Sequence, residues 1–217
     1  MKVSTDACIQ GAWTPLPEGP LRVLDIGTGT GLLSLMVAQR NPAAAIDAIE
    51  IDAAAALQAR ENVGNSPFAG QICIHHADAR RFTPSAQYDL IICNPPFFKN
   101  SLRGPDNERN AARHNLFLQY EDIVRILLRY LDDNGCASLM WPVAEMEQWC
   151  AVAAASGLKI CSDLHIRDRE TAAAHRRVGL FSRQCTSSQK KELVIKDPSG
   201  NYTDAFRQLM TPFYLHL

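Results

Sequence analysis

The sequence predicts an α/β fold: a doubly wound, mainly parallel sheet with helices on both faces. Short apolar runs alternate with helical segments of roughly ten to fifteen residues, the spacing of βαβ units. A glycine-rich turn joins the first apolar run to the first of those helices, and the fourth run ends in Asn-Pro-Pro. The first strand covers 21–26, an apolar run closing on Asp25 and Ile26 before the glycines. A helix over 32–40 follows, and Asn41-Pro42 stops it. Strand two is 45–49, and an Ala-rich helix covers 53–62. Strands three and four are 71–75 and 88–93. Residues 116–131 read as a long amphipathic helix, and Asp132-Asp133-Asn134-Gly135 turns into a fifth strand at 136–141. A helix over 143–156 ends at Gly157 as its C-cap. Two more strands fall near 158–165 and 178–183. The tail reads as 192–196, a turn at Asp197-Pro198-Ser199-Gly200 and a helix over 203–210. Residues 190–217 are thus an appendage packed on the same core, and 1–217 are expected to form one domain without internal repeats.

Composition agrees and prunes. A chain of 217 residues has the length of one domain with a modest extension, since domains run to about 100–200 residues. With 22 Lys/Arg against 23 Asp/Glu, a globally basic nucleic-acid binder is excluded, although a local basic patch is not. Seven dispersed cysteines without a CxxC pair or a zinc-ligand spacing read as reduced thiols, so no metal is expected. No apolar run reaches the ~18 residues of a membrane span and no signal-peptide core opens the chain. The expectation is a cytoplasmic monomer with no membrane partner.

The turn Asp25-Ile26-Gly27-Thr28-Gly29-Thr30-Gly31 lies between a strand and a helix, where glycines allow close approach to a ligand and the helix offers unpaired N–H groups. Its Gly-x-Gly-x-Gly spacing differs from the Gly-x-Gly-x-x-Gly of dinucleotide dehydrogenases, which disfavours a nicotinamide oxidoreductase. Glu50 ends strand two, where a carboxylate can accept both hydroxyls of a ribose. Asp78 follows strand three, where it can meet an adenine amine; the plainer reading is a helix N-cap. The set Asp25, Gly27, Gly29, Gly31, Glu50 and Asp78 resembles the S-adenosyl-L-methionine (SAM) site of Rossmann-like class I methyltransferases. That resemblance implies a seven-stranded sheet with one late antiparallel strand.

Strand four ends in Asn94-Pro95-Pro96-Phe97. The prolines fix φ and remove two N–H donors, so the loop is stiff and its carbonyls are free to accept. The Asn94 side-chain oxygen and the Pro95 carbonyl can accept from one planar NH2 group while Phe97 stacks on the ring that bears it. Such an amine has a delocalised lone pair. Two acceptors draw its hydrogens toward tetrahedral geometry and localise that pair toward an incoming methyl, so positioning and electrostatics do most of the work. The run matches the (Asn/Asp)-Pro-Pro-(Tyr/Phe) signature of amino-methyltransferases, whose substrates include adenine in DNA or RNA, guanine in RNA and glutamine in release factors.

The length leaves no room for the target-recognition domain of DNA enzymes, the N-terminal helical domain of release-factor enzymes or the tandem halves of ribosomal guanine enzymes. Both ends add to this: Met1-Lys2-Val3-Ser4-Thr5-Asp6 with Gly11-Ala12-Trp13, and Leu193-Val194-Ile195, Asn201-Tyr202-Thr203 and Phe213-Tyr214-Leu215. Together they resemble the bacterial tRNA(Val) (adenine37-N6)-methyltransferase family over nearly the full chain. Members carry a further segment ahead of the position of Met1. The resemblance implies methyl transfer from SAM to the N6 amine of adenine 37 in tRNA, and it assigns Thr5 with Asp6 to the roof of the cofactor pocket. A protein-glutamine or ribosomal RNA methyltransferase is the alternative, and a non-catalytic RNA-binding module a third. Eight Lys/Arg against three acids over 159–191, and four against two over 99–113, mark two basic segments flanking the expected entry of the target base. Lys99, Arg103, Arg176 and Arg177 are the expected RNA contacts; the plainer reading is a solvated charged face.

Overall fold

The structure, a computed structural model, describes residues 4–95 and 118–217. Eight strands form one sheet in the order β3-β2-β1-β4-β5-β7-β6-β8. They are β1 (Leu21–Ile26), β2 (Ala44–Glu50), β3 (Ile72–His76), β4 (Tyr88–Cys93), β5 (Leu131–Pro142), β6 (Lys159–Arg169), β7 (Arg176–Ser182) and β8 (Gln189–Lys196). Only β7 runs antiparallel to its neighbours β5 and β6; the other pairings are parallel.

The strand count corrects the expectation of seven. The tail segment read as an appendage becomes β8, which pairs with β6 from Ser162↔Gln189 to Arg169↔Lys196. Its first half is polar and exposed, so no apolar alternation announces it; Leu193 and Ile195 alone are buried. What β8 supplies is backbone: it covers the open edge of β6. The stretch 132–135, expected as a turn, is absorbed into β5. Its pairing with β4 jumps from Tyr88↔Leu131 to Leu90↔Cys136, so the extra residues bulge out of the ladder.

Helices cover both faces because β1, β2 and β4 alternate between two cores. Leu24, Ile26, Ile49 and Ile91 face α4 (Tyr120–Tyr130) and α5 (Val143–Ala155), with Leu127 and Trp149 fully buried among them. Val23, Ile46 and Ile92 face α2 (Leu32–Arg40) and α3 (Ala53–Gly64) on the other side. Further along that second face, α1 (Thr5–Trp13) and α6 (Asp204–Met210) bury Ile9, Phe206 and Met210 against Met140, Ile166, Val178 and Leu193. The C-terminal edge of the parallel strands therefore collects the glycine turn after β1, Glu50 at the end of β2 and Asn94 after β4. Because β7 is reversed, Arg176 at its start pairs with Pro142 at the end of β5 and joins the same edge.

Candidate active site

The glycine turn is tied down before any ligand arrives. The Gly27 and Thr28 amides both donate to the Ile49 carbonyl, at 2.9 and 3.0 Å. Gly27, Gly29 and Gly31 have φ of 71°, 60° and 86°, a left-handed path that side chains with a Cβ rarely follow. Gly31 caps α2, and a Cβ there would lie 3.7 Å from Ala59 and Val63 of α3. Glu50 is buried and braces the turn with both oxygens: Oε2 accepts from the Gly29 amide and Oε1 from the Asp52 amide, each at 2.9 Å. A carboxylate has about four lone-pair positions, so two remain for hydroxyl donors.

Asp25 lies under the turn and is fully buried. Its Oδ2 accepts from Thr28 Oγ1 at 2.6 Å and Ser34 Oγ at 2.7 Å. Its Oδ1 is buried with no hydrogen-bond partner among the described residues. Burial pushes the carboxyl up to about 6; the two hydroxyls pull it back and Glu50 adds repulsion. An orphaned anionic oxygen beneath a glycine turn fits a ligand that brings positive charge.

Asp78 follows β3 in a loop fastened to the end of β2 by the Ala77 amide on the Glu50 carbonyl, at 2.9 Å. Arg80 grips it with Nε and Nη2, and the Arg80 amide donates to its Oδ1 at 3.0 Å. The Arg80 guanidinium holds the carboxyl below its ordinary range. Asp78 thus forms a turn here, and no helix follows for it to cap.

At the end of β4, Asn94 is half-buried and Pro95 buried. The Asn94 Oδ1 atom is itself buried and lacks a hydrogen-bond partner among the described residues. An amide oxygen left bare in this way costs about 1–3 kcal/mol unless a donor arrives. Phe97, Lys99 and Arg103 lie outside the described residues.

The base of this loop is held by residues that carry no motif. Gln10 on α1 is fully buried, and its Nε2 donates to the carbonyls of Cys93 and Ser138, each at 3.1 Å. Thr14 Oγ1 donates to the Gln10 carbonyl at 2.8 Å and meets Ser138 Oγ at 2.7 Å. The one sequence signal was a Gln inside the apolar run Ala7-Cys8-Ile9-Gln10-Gly11-Ala12.

Ser4 caps α1, accepting from the Ala7 amide, so Thr5 and Asp6 sit in its first turn, one and two positions beyond the cap. Asp6 reaches across to the start of β7, with Oδ1 3.1 Å from His175 Nε2 and Oδ2 3.5 Å from Arg176 Nε. Thr5, Asp6 and Arg176 are thereby brought to one rim. Arg177 departs from the expectation of an RNA contact. Its guanidinium forks onto Asp163 at 3.0 and 2.6 Å, and both side chains are only 11% exposed. Alternation along β7 turns it away from the face Arg176 occupies. His75 and His76 bond Asp47 and the Ile51 carbonyl.

Comparison with known proteins agrees with this geometry. Residues 14–118 match the family model described as Methyltransferase small domain. A tRNA1(Val) (adenine(37)-N6)-methyltransferase of Dyadobacter fermentans is 41% identical over 99% of this chain and 91% of its own. One from Pectobacterium carotovorum is 38% identical over 100% of this chain and 88% of its own. Among solved structures, a protein described as a predicted O-methyltransferase of Agrobacterium tumefaciens superposes with a TM-score of 0.73 at 18% identity, over 97% of each chain. A SAM-dependent methyltransferase of Thiobacillus denitrificans, solved with S-adenosyl-L-homocysteine, gives 0.53 at 16% identity over 74% of this chain and 66% of its own. At these identities the two structures speak to the fold alone.

Proposed function

Because the chain belongs to the tRNA1(Val) (adenine(37)-N6)-methyltransferase family, we propose that it methylates the exocyclic amine of adenine 37 in a tRNA(Val), with SAM as donor. The observation that carries the reading is Asn94 Oδ1, a buried acceptor without a partner among the described residues, at the strand end where Pro95 follows. The Asn94 oxygen and the Pro95 carbonyl accept the two hydrogens of the target amine and turn its lone pair toward the cofactor. The cofactor supplies an electrophilic methyl on a sulfonium. No base acts before attack: the N–C bond would form as the methyl–sulfur bond breaks, and the surplus proton, still on nitrogen and hydrogen-bonded to the Asn94 oxygen, would pass to water as the product leaves.

Glu50 would hold the cofactor ribose, Asp25 would offset its positive charge, and the Gly27–Gly31 turn would let it approach the backbone. Asp78 meets the cofactor adenine on exchanging part of its Arg80 fork. Phe97 stacks on the target base. Thr5 stands on the rim that roofs the pocket. Arg176, with Lys99 and Arg103, contacts RNA phosphates, whereas Arg177 serves the β6–β7 pairing. The target base must leave its stack, which costs a few kcal/mol, and less in a loop. Among the described residues no helix is long and apolar enough to cross a membrane. A tRNA substrate implies a cytoplasmic enzyme.

The test is methyl transfer from labelled SAM to unmodified tRNA(Val) transcript, followed by digestion to nucleosides. Label in N6-methyladenosine, lost when adenine 37 is replaced by guanine, is the expected result. Absence of label in tRNA, with SAM binding verified by calorimetry, overturns the assignment.

A further inference from the structure

We propose that the chain binds a thiophilic divalent cation, Zn2+ by preference, between the exposed edge strand β3 and its neighbour β2. The ligands are Asp47, Cys73 and His75, which offer one ligand atom each, all within 4.8 Å of one another. The register produces the cluster. Asp47 lies directly opposite Cys73 in the parallel pair, and His75, two residues on, shares the face of Cys73. No sequence spacing reveals it, because the carboxylate comes from 26 positions upstream of the thiol.

Three further features match a metal site. The set combines a thiol, an imidazole and a carboxylate, the donors of three-ligand zinc sites that leave a fourth position for water. With the thiol ionised and the imidazole neutral, its charge cancels that of a divalent ion. Second, both flanking ligands are oriented by neighbours: the Tyr88 hydroxyl donates to Asp47 Oδ2 at 2.9 Å, and the Phe82 ring packs against His75 at 4.8 Å between centroids. Third, access is open, since β3 is the last strand of the sheet, Cys73 is exposed, and the other two side chains are about 30% exposed.

Tetrahedral zinc with ordinary bond lengths separates its ligand atoms by roughly 3.3–3.6 Å. Rotation of the exposed Cys73 about its single side-chain torsion supplies the contraction. Asp47 Oδ1 and His75 Nε2 now share a hydrogen bond of 2.7 Å. On binding, the ion takes the place of the proton between these two atoms, the neutral imidazole carries its one proton on Nδ1, and the thiol proton passes to water. This inference is independent of the reaction assigned above.

Chelator-treated, reduced full-length protein titrated with Co2+ tests it. The expected result is one equivalent bound, with a thiolate-to-cobalt charge-transfer band in the near ultraviolet and visible bands of four-coordinate strength. Cys73→Ser should abolish the charge-transfer band, His75→Ala should weaken Zn2+ binding at least 100-fold, and Mg2+ should not compete. Tyr88→Phe should weaken it about tenfold. Unchanged far-ultraviolet circular dichroism and SAM binding in the variants keep misfolding apart from ligand loss. A charge-transfer band that survives in Cys73→Ser, or no band in the parent protein, overturns the proposal.

Discussion

Two side-chain oxygens carry the proposed chemistry. Asn94 Oδ1 and Asp25 Oδ1 are both buried and both lack a partner among the described residues, a state that native proteins seldom keep without a use. Asn94→Ala removes the acceptor while leaving the glycine turn intact. Turnover should fall about 10²–10³-fold, the usual loss when one preorganised polar contact to the reacting group is deleted. SAM affinity should stay within about twofold by calorimetry. Asp25 gives a pH prediction. Its carboxyl is pushed up to about 6 in the free protein, above the ordinary value of 3.8. A cationic cofactor favours the charged form, so binding draws a proton off. SAM affinity should be flat above about pH 7 and fall toward tenfold per unit below pH 6. Calorimetry across pH 5–8 checks it, and Asp25→Asn should flatten the profile.

At the scale of elements, α1 is the support on which the start of the Asn94-Pro95 loop rests. Gln10 reaches the last residue of β4 and the middle of β5 at once, and Arg40 of α2 donates to the Gly11 and Thr14 carbonyls at the far end of the helix. Gln10→Ala would strand two buried carbonyls. It should destabilise the fold by about 1–3 kcal/mol in urea melts. It should also lower kcat more than SAM affinity, since Cys93 directly precedes Asn94. An effect on stability alone, with kcat unchanged, would separate α1 from the reaction. At the opposite end of the sheet, a shallow apolar cavity of about 360 Å³ is lined by Leu158, Phe181 and Cys185 at the start of β6.

For the molecule as a whole, the tail is structural. Leu193, Ile195, Phe206 and Met210 are all buried, and β8 closes the edge of β6. Fully burying one such side chain contributes about 1.5–3 kcal/mol, so the four together rival the whole stability of an ordinary domain. A chain ending before Gln189 should therefore fail to melt cooperatively and should aggregate through the bared strand, as read by calorimetry and light scattering. Cooperative melting of that truncated chain would show that the fold does not depend on the tail.

By itself the sequence determined the order and type of β1 to β7 and α2 to α6, because apolar runs, Asn41-Pro42, Gly157 and the Asp197–Gly200 turn are local signals that each element carries within itself. It also determined the glycine turn, Glu50 and Asn94-Pro95, since a doubly wound sheet puts every such strand end on one edge. Tertiary structure decided the rest. Whether Leu193 and Ile195 belong to a strand depends on an open edge of β6, which no local pattern encodes. Arg176 and Arg177 are adjacent and chemically equal, yet the two-residue period of β7 sends one to the rim beside Asp6 and the other onto Asp163. Gln10 became a support, and Asp47, Cys73 and His75 a cluster, only when helix packing and strand register brought distant positions together. Those contacts are set by which surfaces meet, and that is a property of the folded chain.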